Sequence, residues 1–272
     1  IFNKRDLGVT LANGTPPTKD RMIYFSGADY QTVLLGKYEG NIDHQDRYVV
    51  FAARKTGANY LTAIVYDIQN RVIKTQKDLT HVRWVDDLGS EVFDWISISP
   101  SGQSILINWL KDPENLISNY RASIDQYDIN LDFVRELAAQ GQHGDIGVDQ
   151  AGKDIYVQFE FWDRNGIWAY QLDTGAETEI LPEKYNGGHV SCRNYLRPGW
   201  CYLTTKKEGF REVFALKLDG SGGVNRFAQT HIDAQDAQGG VSPDGTKIIF
   251  TSNWGNATTG GADEVFVVEV EQ

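Results

Sequence analysis

Short apolar runs rich in Val, Ile, Tyr and Phe recur along this chain, divided by Gly, Asp, Asn and Pro. Stretches with the period of an amphipathic helix are scarce, so the pattern predicts an all-β protein. Turns between the first two strands of successive units align as Asp46-Arg47, Ser101-Gly102, Ala151-Gly152, Pro198-Gly199 and Asp244-Gly245. From Gly102 onward the turn glycines lie 50, 47 and 46 residues apart. A repeat of that length is typical of propeller blades.

Each turn leads into a strongly apolar strand: Tyr48 to Phe51, Ser104 to Ile107, Asp154 to Val157, Cys201 to Leu203 and Lys247 to Phe250. Third strands are predicted at Leu61 to Ile68, Ser123 to Ile129, Gly166 to Leu172, Glu212 to Leu218 and Glu264 to Val270. Weaker outer strands follow at Val72 to Thr75, Phe133 to Leu137, Glu177 to Leu181 and Val224 to Phe227. Upstream, Leu7 to Leu11, Arg21 to Ser26 and Thr32 to Lys37 form the strands of a sixth unit. The expected architecture is a single β-propeller domain over residues 1–272, with four-stranded blades, six in number or seven if residues precede Ile1. Three second strands run into a tryptophan, at Trp109, Trp162 and Trp254, which reads as packing between blades.

Composition narrows the partners. Thirty-seven acidic against 26 basic residues give a formal charge of -11, with the basic residues scattered, so a nucleic-acid backbone would be repelled. No apolar run approaches the roughly 20 residues of a transmembrane helix. The chain is therefore expected to be soluble and to have no transmembrane segment. It starts at Ile1 rather than at an initiator methionine, which suggests processing from a longer chain.

The candidate chemistry gathers at the hairpin Gly187 to Thr204, which holds both cysteines of the chain and one of its five histidines. His143 and His189 stand nine and ten residues before the turn glycines of their units, which makes them neighbours on adjacent blades. Cys192 continues the strand of His189, and Cys201 opens the strand paired with it. His143, His189, Cys192 and Cys201 are thus a candidate set of tetrahedral zinc ligands, a structural site with no open position. Strand alternation puts His189 and Cys192 on opposite faces, so this set needs a bend or bulge near Ser191. A cross-strand disulfide Cys192–Cys201, or two buried thiols, are the other readings. In the loop between the cysteines, Arg193, Tyr195, Arg197 and Trp200 could stack on sugar rings and hold an acidic group, or simply pack between blades. There is no Gly-Xaa-Ser-Xaa-Gly elbow, phosphate loop or His-Glu-Xaa-Xaa-His, so serine hydrolase, nucleotide and zincin functions lose their usual support.

The segment Val241-Ser242-Pro243-Asp244-Gly245-Thr246-Lys247-Ile248-Ile249-Phe250, together with Ile98-Ser99-Pro100-Ser101-Gly102, resembles the repeat of TolB-type propellers. With His143, His189, Cys192 and Cys201 in that order, the chain also resembles propeller-fold polysaccharide lyases, ulvan lyases above all. That resemblance implies a secreted or periplasmic enzyme that cleaves an acidic, uronate-containing polysaccharide by β-elimination. Such chemistry needs a base, an acid and a cation beside the uronate carboxylate, drawn from histidine, tyrosine and arginine. The candidates here are His44, His81, Tyr120, Tyr127 and Arg135, with Arg193, Tyr195 and Arg197 as substrate-binding residues. A non-catalytic propeller that binds a glycan or a protein ligand at its mouth is the alternative.

Overall fold

The computed structural model describes residues 23, 25–35, 41–84, 92–110, 123–139, 143–160, 164–183, 185, 188–205, 211–230, 238–252 and 264–269. Among them there are five antiparallel sheets and no helix. The first sheet contains β1 (Tyr30–Leu34), β2 (Tyr48–Lys55), β3 (Leu61–Asp67) and β4 (Val72–Leu79). The second contains β5 (Phe93–Ile98), β6 (Ser104–Trp109), β7 (Ile124–Asp128) and β8 (Phe133–Ala138). The third is built from β9 (Gly144–Val148), β10 (Asp154–Glu160), β11 (Gly166–Gln171) and β12 (Glu177–Leu181). β13 (Gly188–Ser191), β14 (Trp200–Thr205), β15 (Glu212–Lys217) and β16 (Val224–Gln229) make the fourth, and β17 (Gly239–Val241), β18 (Lys247–Ser252) and β19 (Glu264–Glu269) the last. Within each sheet the strands pair in chain order.

Burial explains why most second strands are rich in apolar residues while outer strands are largely exposed. Successive side chains of a strand point to opposite faces, and in β2, β6, β10 and β14 both faces are covered, whereas β18 alternates. Ile105 and Ile107 pack toward the first sheet, with Val50, Ala63 and Val65, whereas Leu106 packs toward the third, with Tyr156 and Tyr170. Val157 and Phe159 meet Val190, Leu203 and Phe214 of the fourth sheet, and Tyr202, Val213 and Ala215 meet Ile248 and Phe250 of the last. The sheets therefore stack in sequence, each against the next. Trp109, one of the strand-ending tryptophans, is fully buried in the first of these cores and donates its indole N–H to Asp125 at 2.8 Å. Trp162 and Trp254 lie outside the described residues.

The inner turns are built as the repeat requires. Gly102, Gly152, Gly199 and Gly245 all have φ between 70° and 81°, and Asp46 takes the corresponding left-handed conformation at φ 52° in the first sheet. Ser99 and Ser242 each accept the backbone N–H five residues on, closing the turn against its own second strand.

One assignment changes. Thr32 to Lys37, expected as the third strand of an upstream unit, overlaps β1, which is the inner strand of the first sheet and pairs with β2. Leu34 pairs with Ala52 and Ile42 is bridged to Val49, so the strand and the turn it shares with β2 lie eight positions apart in sequence. Leu7 to Leu11 lies outside the described residues, as does part of Arg21 to Ser26, where Ile23 and Phe25 pack on the first sheet.

Candidate functional site

The connections from inner to second strand all emerge at one end of the sheets. Four are tight turns. The fifth, from β13 to β14, is longer, and a disulfide between Cys192 and Cys201 closes it, with their Cα atoms 4.3 Å apart. Both cysteines are buried, and Cys192 lies so close to Gly147 on β9 that a side chain there would meet its Cβ at 2.6 Å.

Closing this loop aims Arg193 between the inner strands. Its Nε–H donates to Asp145 Oδ1 at 3.2 Å, and the same carboxylate accepts the backbone N–H groups of Cys192 and Ile146, each at 2.7 Å. One terminal nitrogen donates to Ser97 Oγ at 3.0 Å and to the Ile98 carbonyl at 2.8 Å. The other donates to the Ile42 carbonyl at 3.2 Å. A single guanidinium thus joins the first, second, third and fourth sheets. Leu196 adds the last, donating its N–H to the Pro243 carbonyl at 3.1 Å. Burial works against the charged guanidinium, but the carboxylate of Asp145 and the phenol of Tyr195 outweigh it, and the pKa of Arg193 is raised.

The rest of the loop is engaged in the same way. Tyr195 stacks on His44, with ring centroids 4.2 Å apart and planes 12° apart, and His44 donates its backbone N–H to the Pro100 carbonyl. Arg197 lies over Trp200 at 4.6 Å and donates to the Tyr202 hydroxyl at 2.6 Å, which itself donates to the Gly245 carbonyl. Arg193, Tyr195 and Arg197, expected to hold substrate, are held by the protein and together plug the inner-turn end.

The four expected zinc ligands are not brought together. The two cysteine sulfurs are bonded to each other, and a disulfide sulfur is not a thiolate ligand. His189 sits three residues before Cys192, about 10 Å along a strand. The bend expected near Ser191 is absent, since β13 pairs with β14 in regular register from Gly188 to Ser191. Among the described residues no group of three or more His, Cys, Asp or Glu is placed to hold a metal ion. The residues present therefore do not fit a four-ligand zinc site. His143 and His189 do meet, edge to face at 4.9 Å between centroids, at the end of the inner strands away from the disulfide. His143 is exposed and His189 half-buried.

The expected catalytic groups stand in separate parts of the fold. His44 is in an inner turn, and His81 is exposed on the link between the first and second sheets. Tyr127 is buried between those two sheets, its pKa pushed up by burial and by Asp125. Arg135 lies on the outer strand β8 and donates to the Asp173 carbonyl of the third sheet. Tyr120 falls outside the described residues.

Two buried polar features escaped the sequence reading. Asp145 is 1% exposed, and its place beside His143 in an inner strand was the available signal. Glu160, buried at the end of β10, accepts from Tyr170 at 2.7 Å and Gln158 at 2.8 Å, with Arg164 at 3.6 Å. A carboxylate in a buried apolar run marks such a network in sequence.

No family model matches the chain, and no curated protein matches its sequence. Solved structures do match. The structure of putative TolB from Agrobacterium tumefaciens aligns with 88% of this chain and 77% of its own, at 16% identity and a TM-score of 0.52. TolB from Acinetobacter baumannii aligns with 88% of this chain but 52% of its own, at 14% identity and a TM-score of 0.53. The β-propeller domain of the Trilobed protease from Pyrococcus furiosus aligns with 92% of this chain and 71% of its own, at 11% identity and a TM-score of 0.53. Sequential antiparallel sheets and these likenesses agree: the chain has a β-propeller fold, similar to that of TolB.

Proposed function

We propose that the chain is an extracytoplasmic ligand-binding propeller that takes a glycan or a protein ligand at the end of its inner strands marked by His143 and His189. The observation that carries this reading is the plug. Arg193 and its loop occupy the opposite end, while His143 and His189 bring two imidazoles from neighbouring sheets to an accessible position. Imidazole nitrogens can hydrogen-bond hydroxyl and carboxylate oxygens, and the ring faces can stack on a sugar. The buried disulfide supports an oxidising compartment. No helix among the described residues is long and apolar enough to cross a membrane.

The lyase reading rests on the sequence resemblance and draws on His44, His81, Tyr127 and Arg135, which stand apart in the fold. Calorimetric titration with uronate polymers, neutral glycans and candidate protein ligands, run beside ultraviolet detection of unsaturated uronate ends, separates the two. Saturable binding that is lost in His143→Ala and His189→Ala, without unsaturated product, is the expected result. Binding that both variants retain would refute the assigned mouth, and accumulating unsaturated product would replace binding by β-elimination.

A further inference from the structure

We propose that oxidation of Cys192 and Cys201 is the event that seats Arg193, so that the propeller is plugged at its inner-turn end only after the disulfide has formed. In the reduced chain the sheets keep their packing, the guanidinium leaves Asp145 and that end of the inner strands is open.

The cores between sheets are made by strand residues; of the loop, the two cysteines belong to one and Trp200, at its end, packs against another. Leu196, near the loop tip, is 75% exposed. Between the cysteines the loop is held at its surface, by Arg193 on Asp145, Ser97, Ile98 and Ile42, Leu196 on Pro243, Arg197 on Tyr202 and the stack of Tyr195 on His44. A buried guanidinium is tolerated only where its partners are met in correct geometry, so a floppy loop would leave it in water. The bridge removes that freedom next to the arginine. Cys192 is the preceding residue, and its own N–H is bonded to the same Asp145 carboxylate. Gly147 supplies the slot into which Cys192 packs. The bridge and the ion pair thus share one backbone segment and one acceptor.

The chemistry balances as thiol–disulfide exchange. Cys192 and Cys201 give up two electrons and two protons as their S–S bond forms, and a disulfide oxidant accepts both and leaves as a dithiol. The buried bridge is then shielded from attack by thiolates, which makes the plug a maturation step rather than a reversible valve.

Hydrogen exchange on the full chain tests this in four forms: oxidised wild type, Cys192→Ser/Cys201→Ser, Arg193→Gln and the triple variant. In the serine pair the amides of Cys192, Ile146 and Leu196 should exchange about tenfold faster or more than in oxidised wild type, with β2, β6 and β10 unchanged. Arg193→Gln should speed the same amides in the oxidised chain and add nothing in the serine pair. If Arg193→Gln acts equally in both backgrounds, the guanidinium seats without the bridge and the proposal falls. A serine pair that exposes the sheet strands or does not fold overturns it as well, because the sheets are then not independent of the bridge.

Discussion

Replacing Asp145 by asparagine removes one charge from the plug and one of its two acceptors. The amide oxygen can still accept the Cys192 N–H, but its NH2 then faces the N–H donors of Ile146 and Arg193, and the guanidinium loses its counter-charge while buried. The side chains of Asp145 and Arg193 are 1% and 12% exposed. Removing one partner of such a pair costs about 3–5 kcal/mol, because the remaining ion has neither water nor a partner. With some hydrogen bonding retained, the lower figure applies, and for a domain of this size a loss of about 3 kcal/mol lowers Tm by roughly 5 °C. Lys153 and Asp173 provide the contrast, a contact of 2.7 Å between side chains 59% and 46% exposed. Solvent screens that pair, and Asp173→Asn should leave Tm nearly unchanged. Scanning calorimetry of both variants under non-reducing conditions makes the comparison. In Asp145→Asn/Arg193→Gln the loss should be smaller than the sum of the single losses, since both charges are gone. A Tm for Asp145→Asn within about 2 °C of wild type would refute the argument that this pair holds the sheets together.

Three other substitutions have defined outcomes. Gly147→Ala places a Cβ 2.6 Å from Cys192 Cβ and 2.8 Å from its carbonyl oxygen, and should destabilise the chain by about 1–3 kcal/mol in denaturant unfolding. Asp244 accepts from the Ser242 hydroxyl and from the backbone N–H and hydroxyl of Thr246, which push its pKa down to about 2. The folded chain therefore releases this proton more readily than the unfolded one, so the stabilisation is complete above the ordinary carboxylate range and is lost as pH falls toward about 2. The Tm advantage of wild type over Asp244→Asn should shrink over that acid range and stay constant near neutrality; an advantage independent of pH would contradict the assignment. Tyr127 packs edge-on against Phe133 in the first core, so Tyr127→Phe should change stability by less than about 1 kcal/mol and leave ligand binding intact, whereas loss of binding would return Tyr127 to the functional site.

The periodic features of this fold were legible in the sequence because they are local. The turn at Ser242 to Lys247 needs its Ser, Asp and Gly within six residues, and strands such as Ser104–Trp109 show double burial as consecutive apolar residues, here Ile105, Leu106 and Ile107. The plug was not legible for the opposite reason. Arg193 meets Asp145 across 48 positions, Ser97 across 96 and Ile42 across 151, and an arginine in a loop reads as a solvated charge unless those partners are known. The two cysteines, nine positions apart in a hairpin, suit a bridge or a metal equally in sequence. Register decides between them, because it sets His189 opposite Thr204 and three residues short of the bridge. The separation in sequence of Leu34, paired with Ala52, from Ile42, bridged to Val49, likewise hid the ownership of β1.

Cys192 and Cys201 close a covalent loop at the inner-turn end, and their sulfurs, bonded to each other, are not thiolates that could hold zinc. Thiol titration of the native chain, unfolded without reductant and with and without a chelator, distinguishes the two chemistries. No titratable thiol is expected in either case, and two after reduction. Two thiols that appear on unfolding, with zinc released in equal amount to protein, would contradict the bridge.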